Sequence, residues 1–113
     1  MGRVLVLEAQ PELRDLLSLV VRRAGHEPVY DDRGGADELQ PLAAVIVEPA
    51  SDRLLALAAG LRAASDELPV ICVSVLPPTP ASRSLAPFEH FVKPFRIGEL
   101  ESTLRGAVPS AAG

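Results

Sequence analysis

Four polar residues stand at the ends of short apolar runs and carry most of this chain's capacity for chemistry: Glu8, Glu48, Ser74 and Lys93. Brought together, the two acids and the ammonium form an ion cluster in which Lys93 is the counter-ion, because without the cation the carboxylates would repel each other. Other chemistries lack their residues. There is no Cys/His or Ser/His constellation, and Gly34-Gly35 lacks the spacing of a phosphate-cradling loop, which argues against a small enzyme or a nucleotide binder. The single Cys72 lies inside Val70-Ile71-Cys72-Val73, where a lone cysteine is an inert core residue.

The elements that must position these residues follow from periodicity. Arg3 to Leu7 reads as a first strand, followed by Pro11 in the first turn of a helix with Leu13, Leu16, Leu17, Val20 and Val21 on one face and a stop at Ala24-Gly25. His26 to Tyr30 reads as an edge strand, since Pro28 cannot donate to a ladder on both sides. Asp31-Asp32-Arg33-Gly34-Gly35 is a charged turn, and Ala36 to Gln40 allows about one helical turn before Pro41. Ala43 to Val47 is a third strand, and Ser51 or Asp52 caps a helix containing Leu54, Leu55, Leu57, Ala58 and Leu61. Pro69 to Val75 is a fourth strand, after which Pro77, Pro78, Pro80 and Pro87 leave room for at most one turn of helix. His90 to Val92 is a fifth strand, and Ile97, Leu100 and Leu104 stripe a last helix stopped at Gly106. The alternation predicts an α/β fold: a flavodoxin-like doubly wound five-stranded parallel sheet of order 2-1-3-4-5, with stunted second and fourth helices. Residues 1–106 form its one domain and 107–113 a flexible tail.

Composition narrows the partners. In 113 residues, a net charge of −4 with no Lys/Arg run opposes nucleic-acid binding. No apolar run approaches the roughly 18 residues of a membrane span and no signal segment opens the chain, so no membrane insertion and a cytoplasmic place are expected.

In a doubly wound sheet, sites form beyond the carboxyl ends of the strands, which selects Glu8-Ala9, Asp31-Asp32, Glu48, Ser74-Val75 and Lys93-Pro94-Phe95. With these residues in view, the chain resembles, over about residues 3–106, the receiver domain of bacterial two-component response regulators. The resemblance is carried by Phe91-Val92-Lys93-Pro94-Phe95, by Val4-Leu5-Val6-Leu7-Glu8-Ala9-Gln10-Pro11 and by Pro69-Val70-Ile71-Cys72-Val73-Ser74. It implies an Mg²⁺-binding acidic pair at Glu8 and Ala9, a phosphoacceptor at Glu48, phosphoryl-contacting side chains at Ser74 and Lys93, a switch aromatic at His90 and a cis peptide before Pro94.

The departures point away from that chemistry. Ala9 has no side-chain oxygen for Mg²⁺, so metal binding is expected to be weak or absent and no cofactor is expected. The extra methylene of Glu48 displaces its carboxylate from the acceptor position, and Val75 is bulky where the family favours a small residue. Glu48 then has two readings: a phosphate mimic that reaches Lys93 or Ser74, or a solvated or Lys-paired acid without signalling content, the latter preferred because a carboxylate lacks phosphate's charge and third oxygen. His90 reads as a surface histidine near the sheet edge rather than a pH switch. The expectation is an atypical receiver, not an enzyme, that binds a protein partner or a second copy of itself through its fourth and fifth units, with output passing through a separate molecule. The alternative is a working phosphoacceptor that uses Glu48 with weak Mg²⁺ binding.

Overall fold

A computed structural model describes residues 2–30 and 41–108. The elements are β1 (Arg3–Leu7), α1 (Pro11–Arg23), β2 (Glu27–Val29), β3 (Ala44–Val47), α2 (Asp52–Ala64), β4 (Val70–Ser74), α3 (Pro80–Arg83), β5 (Glu89–Val92) and α4 (Ile97–Ala107). The five strands form one parallel sheet in the order β2-β1-β3-β4-β5, as the sequence predicts. Val4 to Leu7, Ala44 to Val47 and Val70 to Val73 are all buried, because helices cover both faces of the central strands.

Alternation along the strands divides the core in two. Val4, Val6, Ala44, Ile46, Ile71 and Val73 meet Leu17, Val20 and Val21 of α1 and Leu100 and Leu104 of α4. Leu5, Leu7, Val45, Val47, Val70 and Cys72 meet Leu54, Ala58 and Leu61 of α2, together with Leu68 and Leu85. Burial of these aliphatic side chains contributes about 1.5–3 kcal/mol each, so the core dominates the stability.

The helix ends follow local chemistry. Pro11 sits in the first turn of α1, and Gly25 adopts φ +88, which closes the helix without a Cβ penalty. The Ser51 hydroxyl accepts the Leu54 N–H and starts α2. Two expectations need correction. Gly106 does not stop α4, which continues to Ala107; with Val108, that residue packs on the core, and this apolar contact outweighs the low helix propensity of glycine. The second strand is shorter than His26 to Tyr30, because Tyr30 turns onto α1, where its hydroxyl lies 2.6 Å from Ser18 Oγ. The charged turn at Asp31-Asp32, Gly34-Gly35, the stunted helix at Ala36 to Gln40 and tail residues 109–113 lie outside the described residues. Among the described residues, no helix is long and apolar enough to cross a membrane.

The other stunted helix is α3. Thr79 and Ser82 satisfy each other's backbone N–H groups across this single turn, and Pro80 fits its first position. Leu85, 1% exposed, fills the core beneath the segment, and Ala86 takes φ 49, a left-handed conformation that strains a residue bearing a Cβ. Arg62 holds this backbone in place. Its Nε donates to Leu85 O at 2.8 Å and its Nη2 to Ala86 O at 3.3 Å, while Nη1 donates to Asp66 O at 2.7 Å and Ser65 O at 3.3 Å. Replacing this guanidinium leaves a strained turn without its donors. Arg62→Ala is expected to cost about 2 kcal/mol in urea unfolding, with faster amide exchange at Leu85 and Ala86 and unchanged protection at Leu5 and Ile46.

Candidate functional site

Three strand ends meet at one cation. The Lys93 ammonium donates to Glu8 Oε1 at 2.7 Å and to Glu48 Oε2 at 2.9 Å. Parallel strands place all their carboxyl ends on one edge of the sheet, so residues 8, 48 and 93 converge although 85 positions separate the first from the last. The peptide between Lys93 and Pro94 is cis, as the resemblance implies. Glu8 is 6% exposed and Glu48 8%, so neither acid is solvated.

Glu48 is bonded through both oxygens. Oε1 accepts the Ala50 N–H at 2.9 Å, and Oε2 accepts the Val75 N–H at 3.1 Å in addition to Lys93. Burial alone would raise its carboxyl group, but hydrogen bonds from Ser74, Lys93 and Ala50 and the charge of Lys93 prevail and hold it below the ordinary carboxylate range. Burial likewise opposes the charge of Lys93, yet the bonds to Glu8 and Glu48 and their charges raise it above the usual lysine value. The Cys72 thiol, pushed up to about 11 by burial and by the charge of Glu48, is an unreactive core group.

The remaining sequence-selected residues take varied places. Ser74 is fully buried at the end of β4, and its Oγ accepts the Leu76 N–H at 3.1 Å. Val75 is 60% exposed, and its backbone N–H donates to Glu48 Oε2. Ala9 is exposed behind Glu8, whose Oε2 accepts the Gln10 N–H at 3.2 Å. His90, on the edge strand β5, is not a free surface histidine. Its Nε2 lies 2.9 Å from Leu76 O, and because a carbonyl only accepts, this nitrogen carries the proton; Nδ1 is buried without a hydrogen-bond partner among the described residues.

The residues do not fit the Mg²⁺ site that the resemblance implies. Ala9 supplies no oxygen, and each of the two acids is already bonded to Lys93. Among the described residues, no group of three or more His, Cys, Asp or Glu side chains is arranged to hold a metal ion. Sequence reasoning missed the N–H groups of Ala50 and Val75, which carry no side-chain signature. It also missed Arg14 and Arg53, which line a cleft beside Glu8 and come together only through the packing of α1 and α2.

This arrangement sits on a known scaffold: the chain has the fold of response-regulator receiver domains. It superposes on a response regulator from Thermotoga maritima with a TM-score of 0.79 at 14% identity, covering 97% of this chain and 99% of that one. A BeF3-activated DrrB receiver domain gives 0.82 at 11% identity, covering 97% and 99%. The receiver domain of a sensor histidine kinase from Pseudomonas aeruginosa PAO1, solved with a magnesium ion coordinated in its active-site cleft, gives 0.77 at 18% identity, covering 96% and 98%. No family profile matches the sequence, and no curated protein matches it.

The ion cluster makes a pH-dependent prediction. Glu48 is held below its ordinary value, so it stabilises the fold above the unfolded carboxylate range, and this contribution is lost as pH falls through its folded value. Lys93 is raised, so its contribution is present below the unfolded lysine range and is lost as pH rises through its folded value. Lys93→Met leaves two buried acids unpaired and is expected to cost about 3–5 kcal/mol near neutral pH, less in acid as the carboxylates protonate. Urea unfolding from acid to neutral pH checks this, and Glu48→Gln should flatten the acid limb.

Proposed function

We propose that this chain is an atypical receiver that signals without phosphorylation, with the Glu48 carboxylate fixed in bonds that would otherwise serve a phosphoryl group. The observation that carries the reading is the Glu48 carboxylate itself, bonded to Lys93, one of the two side chains that the resemblance assigns to the phosphoryl oxygens, and to the N–H groups of Ala50 and Val75. Its burial sets aside a solvated acid, and, of the phosphate mimic and the Lys-paired acid, the mimic is favoured by the Val75 N–H, which ties it to the end of β4. Three bonded elements are thereby held in one arrangement, which is what a phosphorylation switch does reversibly.

In this reading the protein is not an enzyme, needs no resident metal and works in the cytoplasm by binding a signalling protein or a second copy of itself. The contact face is the one around β4, α3 and β5. A single helical turn replaces a full covering helix there, and Leu76 is 46% exposed, Phe88 54% and Val92 45%. Apolar side chains exposed on a proline-rich segment with little conformational freedom suit protein recognition.

The alternative, a working phosphoacceptor, is separated by chemistry. The chain incubated with acetyl phosphate and Mg²⁺ is expected to show no phosphoryl adduct by mass spectrometry, and an adduct on Glu48 overturns the proposal. In pull-downs, Leu76→Asp is expected to abolish capture of a partner that the native chain retains, with the thermal midpoint unchanged because residue 76 is exposed.

A further inference from the structure

Leu76-Pro77-Pro78-Thr79-Pro80 leaves β4 and enters α3, and of the whole contact face its conformation is the one that residue type fixes most closely. Each proline ring locks φ at about −65° and offers no N–H. Pro77 and Thr79 each precede a proline, which steers them to extended or polyproline backbone, and Thr79 has φ −114 and ψ 165.

Both ends of the segment are tied. The Leu76 N–H donates to Ser74 Oγ at 3.1 Å, the Leu76 carbonyl accepts from His90 Nε2 at 2.9 Å, and the Thr79 N–H donates to Ser82 Oγ at 2.9 Å. Between these ties stand Pro77 and Pro78, both exposed, with carbonyls that accept no hydrogen bond among the described residues. Leu76 is 46% exposed beside them, and Pro80 is exposed at the start of α3. A tethered, exposed proline pair with free acceptors is the form of ligand that aromatic-lined grooves read: rings pack on the proline faces, and the backbone is ordered before contact.

The occupant that fits is a different protein. A second copy would have to supply the aromatic groove, and this chain has one Tyr, three Phe and no Trp. Tyr30, Phe91 and Phe95 pack against the core, which leaves Phe88 alone on the surface. Charge adds a second feature. Arg83, exposed one turn beyond Pro80, makes no ion pair among the described residues, so a carboxylate at the rim of the groove would complement it.

We propose that Leu76 to Pro80 is a polyproline ligand, presented by the fold to a partner protein with an aromatic-lined groove and an acidic rim. The inference rests on the proposed use of the face around β4, α3 and β5 for protein recognition, and it names the chemistry of the partner.

The probe is a panel of isolated WW domains with differing proline-pair preferences, titrated into the full ¹⁵N-labelled chain and, separately, into a linear peptide of residues 75–81. Saturable binding of at least one domain is expected, at least as tight for the chain as for the peptide because the segment is already ordered, with amide shifts centred on Val75, Leu76, Thr79 and Ala81. The double replacement Pro77→Ala and Pro78→Ala should weaken binding roughly tenfold or more, and Arg83→Glu should weaken it as well. All three positions are exposed, so an unchanged thermal midpoint verifies that these variants fold. Absence of saturable binding to the chain, tighter binding to the peptide, or binding indifferent to either variant overturns the proposal, and so does self-association of the chain in sedimentation that the proline variant abolishes. The wider reading fails separately. A native partner lost in Leu76→Asp but kept by the proline variant leaves recognition through this face standing and removes only the polyproline ligand, whereas capture that survives Leu76→Asp overturns the face itself.

Discussion

One ammonium group shared by two buried carboxylates constrains everything at the active edge of this sheet. Lys93 is 2.7 Å from Glu8 and 2.9 Å from Glu48, and each acid is less than a tenth exposed. Burying such charges is unfavourable, and removing one partner costs more than the intact cluster contributes. The three strand ends must therefore close on one another whenever the core beneath them is formed. The aliphatic layers on either side of the sheet provide the bulk of the stability, and the cluster determines the one arrangement of β1, β3 and β5 that leaves no charge unpaired.

The same constraint occupies the acceptor oxygens of the site. A carboxylate that already accepts from Lys93 and from two backbone N–H groups has few lone pairs left with which to bind a metal or attack a phosphoryl donor. Ala9 supplies no side-chain oxygen beside Glu8.

The face around β4 and β5 is built by compensation for lost helix. Prolines limit α3 to four residues, so Leu85 seals the core and Arg62 pins the strained Ala86 turn from across the fold. His90 joins β5 to the segment through Leu76 O, and the Val75 N–H joins its start to Glu48. The apolar side chains left outside are displayed on a backbone held at both ends.

Local patterns were sufficient to specify the order of strands and helices, the parallel sheet, a cap at Ser51 or Asp52, the stop at Gly25 and the candidates Glu8, Glu48, Ser74 and Lys93, because periodicity and turn chemistry act over a few residues. They misplaced the end of α4, where the contact of Ala107 and Val108 with the core overrides the glycine at 106, and they placed His90 near the sheet edge without its bond to Leu76 O. Which donors surround Glu48, whether it is buried, and that Arg14 meets Arg53 across a cleft were decided only by tertiary packing. Those relations join residues far apart in the chain and depend on backbone N–H groups that every non-proline residue possesses, so residue type and spacing hold no record of them.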